Sequence, residues 1–292
     1  MSGALLRQLR ESAEMIKISH SVFALPFALA AAALAMRTSG GWSWGLGGRI
    51  VFCAIAARTA AMAMNRLADA KIDAANPRTA SRALPAGRVG ARFVLALVVV
   101  SSGAFVAGAA SLNRLCLLLS PVALLWLLGY PYAKRFTPLC HFWLGGALGL
   151  APVGAWLAVQ GAFEEMATPL LLGGAVLCWT AGFDLIYACQ DFDHDRRAGL
   201  HSVPARIGIA RTLHLSAALH LGSLLLLAAL PLVNPHLGWI YGAGLAVAAA
   251  LLVYEHAIVS ADDLSRVDLA FFTLNGCVSL AFGAATVADA LL

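Results

Sequence analysis

Apolar residues run through this chain in long blocks, interrupted at intervals by short stretches of charge, proline and glycine. Nine blocks read as membrane spans: residues 15–36, 46–70, 90–112, 115–133, 141–161, 167–193, 208–232, 236–258 and 267–290. Several exceed the ~18 residues that mark a helix long enough to cross a bilayer. The pattern predicts an all-α polytopic membrane protein, about nine transmembrane helices in two similar halves around a central cavity. One integral membrane domain over residues 1–292 is expected.

Composition strengthens this reading without changing it. Of the residues, 61% are apolar and 12% charged, against about a quarter charged and just under half apolar in a soluble domain. Mean hydropathy is +0.81. Charge then orients the spans. Sixteen of the 20 lysines and arginines lie before the first span, in the loops on that same side, or in the span ends that border them. By the positive-inside rule that side is cytoplasmic and the C-terminus lies outside. A bacterial inner membrane, with the site facing the cytoplasm, is the expected location. The net charge of +5 therefore describes loop orientation and gives no reason to propose nucleic acid as a partner. The run after Ser19 lacks a convincing cleavage site and reads as a retained first helix. The six cysteines are scattered singly, which implies neither a disulfide framework nor a zinc site.

The halves resemble each other. The second span ends Asn65-Arg-Leu-Ala-Asp69-Ala-Lys-Ile-Asp73 and the sixth ends Asp191-Phe-Asp-His-Asp195, so each carries two aspartates four apart. Downstream, Leu84-Pro85-Ala86-Gly87-Arg88 is similar to Val203-Pro204-Ala205-Arg206 with one gap. This predicts a parallel duplication, halves near 15–133 and 141–258 plus a last helix at 267–290, with a binding site between them.

On a helix, Asn65, Asp69 and Asp73 share one face over ~12 Å. Asp184, Tyr187, Asp191 and Asp195 share another, while Asp193 points roughly the opposite way. Packing the two spans together makes an acidic mouth, and acids at such a place are costly unless a cation balances them. Magnesium suits oxygen ligands and joins a few carboxylates to substrate phosphates, which makes Asp69, Asp73, Asp191 and Asp195 the candidate metal ligands. Basic residues beside the acids, including Arg66, Lys71, Arg78, Arg82, Lys134, Arg135 and Arg206, are placed to hold phosphate oxygens. Acid, base and an apolar interior together describe a site for an amphiphile with a diphosphate head. A single Asp near a helix end is most often a solvated flank; two such pairs on similar helices are not. The eight histidines have no metal-ligand spacing and read as packing or interface residues. His20 is the exception, since with Lys17 it lies at the mouth end of the first span and is a candidate substrate contact. Asn275 and Ser279 share a face of the last span, where polar side chains more often bridge helices; Asn275 is carried as a candidate substrate contact.

These residues carry a family resemblance. The segments Asn65-xxx-Asp69-xxx-Asp73 and Asp184-xx-Tyr187-xxx-Asp191-xxx-Asp195 resemble the two signature motifs of the UbiA family of intramembrane aromatic prenyltransferases. The stretch from Asn76 to Arg88 strengthens the match, and Tyr130-Pro-Tyr-Ala-Lys134-Arg135 is similar to the family's YxxxK motif. The resemblance implies magnesium-dependent transfer of a polyprenyl group from its diphosphate to a hydroxylated aromatic acid in quinone biosynthesis. It implies catalytic roles for Asp69, Asp191, Lys134 and Tyr130, and substrate contacts at Asn65, Arg78, Arg82, Asp184, Tyr187 and Arg206. The partners it implies are a polyprenyl diphosphate, an aromatic acid and membrane lipid, with no required protein partner. Residues 74–92 and 196–207 are candidate lids over the reacting centre. Asn65-Arg-Leu-Ala-Asp69, Phe23-Ala-Leu-Pro26-Phe and Phe271-Phe-Thr-Leu-Asn275 look like the 4-hydroxybenzoate-type branch. They are especially similar to its members assigned to futalosine-route menaquinone synthesis, whose acceptor is 1,4-dihydroxy-6-naphthoate. The competing class is an ion-coupled transporter using the same acids as a cation site. Against it, the acids sit at one face beside arginines, with no comparable polar path to the other face.

Overall fold

A computed structural model gives the structure of the protein and describes Glu11 and residues 23–39 and 41–292. Among these residues every regular element is helical. The first, α1 (Leu25–Thr38), begins with Pro26 in its opening turn, where a missing N–H costs nothing. Its alanine-rich body lets neighbours approach closely, and Ala30 to Leu34 are almost fully buried. Then come α2 (Trp44–Ala75), capped by the Ser43 hydroxyl, and α3 (Ala91–Leu112). Next is α4 (Arg114–Gly129), capped by Asn113 and tightened into a 3₁₀ turn at Tyr130–Arg135, where Pro131 enters. Then α5 (Cys140–Gln160) stops at Gly161, whose φ of 69° is left-handed. Helix α6 (Ala167–Ala188) runs through a 3₁₀ turn at Cys189–Asp191 into the short α7 (Phe192–Arg197). The short α8 (Val203–Ile207) leads into α9 (Ile209–Ala229), α10 (Trp239–Ile258) and, through a π-helical turn at Leu269–Leu274, α11 (Asn275–Leu291).

Eight of these stretches are long and apolar enough to cross a membrane, with α1 as a shorter apolar helix. From the second onward, the expected spans and the observed ones agree to within about five residues; residues 15–22 of the first expected span lie outside the described residues. The two acid-bearing helices run further than their apolar blocks, to Ala75 and, through the 3₁₀ turn, to Arg197.

Helix α1 packs against α5 and α11 at the centre, with α2 against α3, α5 against α6, α6 against α9, and α10 against α11. Lipid tails are as apolar as leucine, so these contacts rest on close packing more than on escape from solvent. The α5–α6 crossing shows it: a Cβ on Gly145 would lie 2.5 Å from the Leu177 carbonyl oxygen, and one on Gly149 would lie 2.6 Å from that of Gly173. Packing in this order leaves an apolar cavity of about 790 Å³ bounded by α2, α4, α5 and α6.

Candidate active site

The carboxylate-bearing ends of α2 and α6 meet at one end of this cavity. Asn65, Asp69 and Asp73 all line it, as do Asp184, Tyr187, Asp191 and Asp195. Helical phase alone put each set on one face. The short 3₁₀ turn at Cys189–Asp191 tightens the second helix without turning Asp195 away. Asp193 is exposed and lines nothing.

Each principal acid is matched to a base. Asp69, only 4% exposed, accepts from Lys134 Nζ at 2.6 Å and from Arg135 Nη2 at 3.2 Å. Asn65 donates to it at 3.3 Å. Asp73, 5% exposed, takes Arg82 Nη1 on both oxygens at 2.7 and 2.8 Å, with Arg66 at 3.9 Å. Asp191 is gripped by Arg78, whose Nε lies 2.9 Å from Oδ1 and whose Nη2 bonds Oδ2. Such two-pronged guanidinium–carboxylate pairing fixes orientation as well as charge. Burial works against the Arg78 charge, but its hydrogen bonds to Asp191 and to the Tyr187 hydroxyl (2.7 Å) outweigh that and raise its pKa above the ordinary arginine value. Asp69, Asp73 and Asp191 thus each face a cation inside the protein.

The segment after α7 is tied down over this mouth. His201 N–H donates to the Lys134 carbonyl at 2.8 Å, and Val203 N–H to His141 Nε2 at 3.3 Å. With Nε2 accepting, the neutral imidazole carries its proton on Nδ1 and donates it to Asp184 at 2.7 Å.

His141 therefore joins the site, although its spacing offered no signal and it read as a packing residue. Two more residues were passed over. Asn76 donates to Asp191 Oδ1 at 2.7 Å; its place in the Asn-Pro-Arg stretch was the available hint. Arg58, about two turns before Asn65 on α2, lines the cavity, and its buried Nε has no hydrogen-bond partner among the described residues. A charge inside a span was the sign that could have found it.

Two expected substrate contacts lie off this cavity. Asn275 is fully buried and does not line the cavity. Its Oδ1 accepts from Trp179 Nε1 at 2.6 Å, and its Nδ2 donates to Glu255 Oε1 at 2.8 Å and to the Ala270 carbonyl at 3.0 Å. The π-helical turn brings it to this inner network and leaves it no free polar atom. Arg206 is exposed and also lies off the cavity, since α8 turns it outward. Lys17 and His20 lie outside the described residues. Lys134, Tyr130, Arg78 and Arg82 all line the cavity.

The donor chemistry suits a hard divalent cation, being carboxylate oxygen throughout. Among the described residues no three acidic, histidine or cysteine side chains converge into a ready cage, because lysine and arginine occupy the acids. Magnesium commonly takes one or two carboxylates and completes its shell with substrate phosphates. These residues fit such an ion once a diphosphate draws the bases away.

Comparison with known proteins bears on the family and the fold. Residues 24–276 match the model of the UbiA prenyltransferase family. A 4-hydroxybenzoate octaprenyltransferase of Aeromonas salmonicida is 34% identical over 225 residues, 77% of this chain and 76% of that protein. One from Tolumonas auensis is 37% identical over 69% of each. Among solved structures, the apo form of a UbiA homologue from Aeropyrum pernix superposes with a TM-score of 0.84 at 36% identity, covering 92% of this chain and 98% of that one. A UbiA homologue from Archaeoglobus fulgidus bound to DMAPP and Mg²⁺ shares the fold, with a TM-score of 0.72 at 18% identity, covering 96% of this chain and 98% of that one.

Proposed function

We propose, from the premise that this chain belongs to the UbiA prenyltransferase family, that it moves a polyprenyl group from its diphosphate to a 4-hydroxybenzoate-type aromatic acid. It is a transferase of an integral membrane family, so the transporter reading gives way. The observation that carries the proposal is the alternation of acid and base around the mouth of an apolar cavity: Asp69 with Lys134, Asp73 with Arg82, Asp191 with Arg78.

The donor's diphosphate takes the acidic end and its tail the apolar cavity. Lys134, Arg78 and Arg82 then turn from their carboxylates to phosphate oxygens, which frees oxygen donors on Asp69, Asp73 and Asp191 beside Asp195. Those four carboxylates would hold magnesium, which would supply positive charge against the leaving diphosphate. Charge that develops only as the carbon–oxygen bond breaks is what preorganised cations stabilise best. The bond breaks heterolytically, and the allylic cation forms beside the rings of Tyr187 and Phe271, 4.2 Å apart and both lining the cavity. Tyr130, at the head of the 3₁₀ turn that carries Lys134, closes the same wall. The cation bonds to a ring carbon ortho to the acceptor hydroxyl, the ring proton leaves, and aromaticity returns. Asp191 is the base we assign to that proton. The segments 74–92 and 196–207 exclude water meanwhile.

Arg58 supports an acid as the acceptor. A guanidinium at membrane depth with an unpartnered Nε is a receptor for a ligand's carboxylate. Both 4-hydroxybenzoate and 1,4-dihydroxy-6-naphthoate carry one, so the same experiment separates them. Purified protein with magnesium and octaprenyl diphosphate is offered each acid, and products are read by mass spectrometry. Prenylated 4-hydroxybenzoate is the expected product; a prenylated naphthoate alone moves the assignment to the menaquinone route. Chelation with EDTA stops turnover and added magnesium restores it. Asp69→Asn and Asp191→Asn abolish transfer in protein that still folds; near-normal turnover by either would falsify the metal assignment.

A further inference from the structure

The bundle buries a second set of ionisable groups away from the cavity. Glu255, near the end of α10, and His220, on α9, are both buried, and neither lines the cavity. Ionisable side chains inside a membrane bundle are costly and rare, and their retention points to a function. Glu255 Oε1 accepts from Asn275 Nδ2 at 2.8 Å. Its Oε2 has no hydrogen-bond partner among the described residues and lies 3.9 Å from His220 Nδ1. That nitrogen is 2.9 Å from His256 Nε2, and His220 Nε2 donates to the Trp179 carbonyl at 3.2 Å. A single shared proton, on the acid or on the imidazole pair, leaves the three groups neutral together and eases their burial.

Asn275 joins this set to the reaction cavity. It stands at the end of the π-helical turn Leu269–Leu274, and its Nδ2 also donates to the Ala270 carbonyl across the turn, at 3.0 Å. Turns of this kind are rare and frequent at functional sites. This one presents Phe271 and Phe272 to the cavity. The Phe271 ring lies 4.2 Å from that of Tyr187 and 5.1 Å, edge-on, from that of Phe183. Asn275 Oδ1 accepts from Trp179 Nε1 at 2.6 Å, and the Trp179 ring meets Phe183 edge-on at 5.0 Å. Asn275 thus braces Phe271 from two sides, by the turn and through Trp179 and Phe183. The last torsion of an asparagine is broad, so its three partners set the orientation of the carboxamide. We infer that Glu255 is a positioning residue for the transfer reaction: by orienting Asn275 it holds the π turn, and with it Phe271, against Tyr187 where the allylic cation forms. That role rests on the proposed function. Aromatic faces stabilise a cation only while the rings keep their place, and the cation exists only once the carbon–oxygen bond breaks. Displacing Phe271 therefore destabilises the transition state and spares the bound substrates.

Two variants loosen Asn275 from opposite sides: Glu255→Leu removes an acceptor, and Trp179→Phe removes a donor. Each is made alone and together with Phe271→Leu, and if Glu255→Leu does not fold, Trp179→Phe decides. Either single variant lowers kcat about tenfold or more and leaves KM for octaprenyl diphosphate and for 4-hydroxybenzoate within about twofold. Added to Phe271→Leu, either lowers kcat by less than about twofold more, because groups acting through one ring do not lose it twice. Glu255→Gln keeps an oxygen for Asn275 and holds kcat within about threefold of wild type. Equal losses in both backgrounds overturn the assignment, as does a raised KM with kcat kept. So does full activity in both single variants, or a loss in Glu255→Gln as large as in Glu255→Leu. A wild-type protein that transfers no prenyl group would instead overturn the proposed function. The positioning of Phe271 is then decided by ¹⁹F NMR of 4-fluorophenylalanine at position 271. A signal moved by Glu255→Leu and by Trp179→Phe, and kept in Glu255→Gln, upholds it; an unmoved signal refutes it.

Discussion

The acids of the site are a case where charge pattern and helical phase suffice. Asp69, Asp73, Asp191 and Asp195 stand out because an apolar chain carries them at one level, four residues apart in each pair. Their partners are less legible, since Asp191 meets Arg78 and Asn76 across more than a hundred residues of sequence. His141 had no spacing to betray it, because its two bonds go to Asp184 and Val203 on other elements. Arg58 was visible as a charge within a span but had no neighbour in sequence to give it meaning. It now carries a prediction at this scale. Arg58→Ala raises KM for the aromatic acid and lowers kcat/KM about 10–100-fold, the worth of ~1.5–3 kcal/mol for a charged hydrogen bond. Arg58→Lys recovers part of that, lacking the planar fork. Steady-state kinetics with the acceptor varied at saturating donor measures both; an equal rise in the donor's KM would contradict the assignment.

Helices were read from apolar length, and their ends depart from that reading in a consistent direction. The block at 46–70 becomes a helix from Trp44 to Ala75, and that at 167–193 continues to Arg197. Hydropathy marks the part of a helix in hydrocarbon, whereas backbone hydrogen bonding continues into the polar zone as long as phase and propensity permit. Helix ends also find caps that no local pattern announces. Asp289, near the end of α11, accepts from the N–H groups of Gly238 and Tyr241 at 2.7 and 2.8 Å, so it caps α10 from a different helix. Asp289→Ala removes that cap and costs about 1–2 kcal/mol, while Asp289→Asn, which keeps an acceptor oxygen, costs less. Thermal unfolding in detergent, followed by circular dichroism, separates the two variants. Equal midpoints for both would show that the carboxamide and the methyl serve α10 alike.

For the whole molecule, the loop charges propose an orientation that the bundle's own geometry leaves open. Cysteines introduced at Ala198 and Pro235 of a cysteine-free protein report it, both positions being exposed. A membrane-impermeant maleimide labels position 235 on intact cells and position 198 only after permeabilisation; the reverse pattern inverts the orientation. The sequence by itself determined that the chain is a helical membrane protein, which aspartates stand together and that arginines stand near them. Those properties follow from hydropathy and from a helical period, both local in the chain. Only the tertiary structure decided which base grips which acid, and that Arg58 and His141 line the cavity while Asn275 and Arg206 lie off it. Each of those depends on how helices distant in sequence rotate and approach one another. That is fixed by packing at residues such as Gly145 and Gly149, which carry no charge and no periodic signal to reveal it.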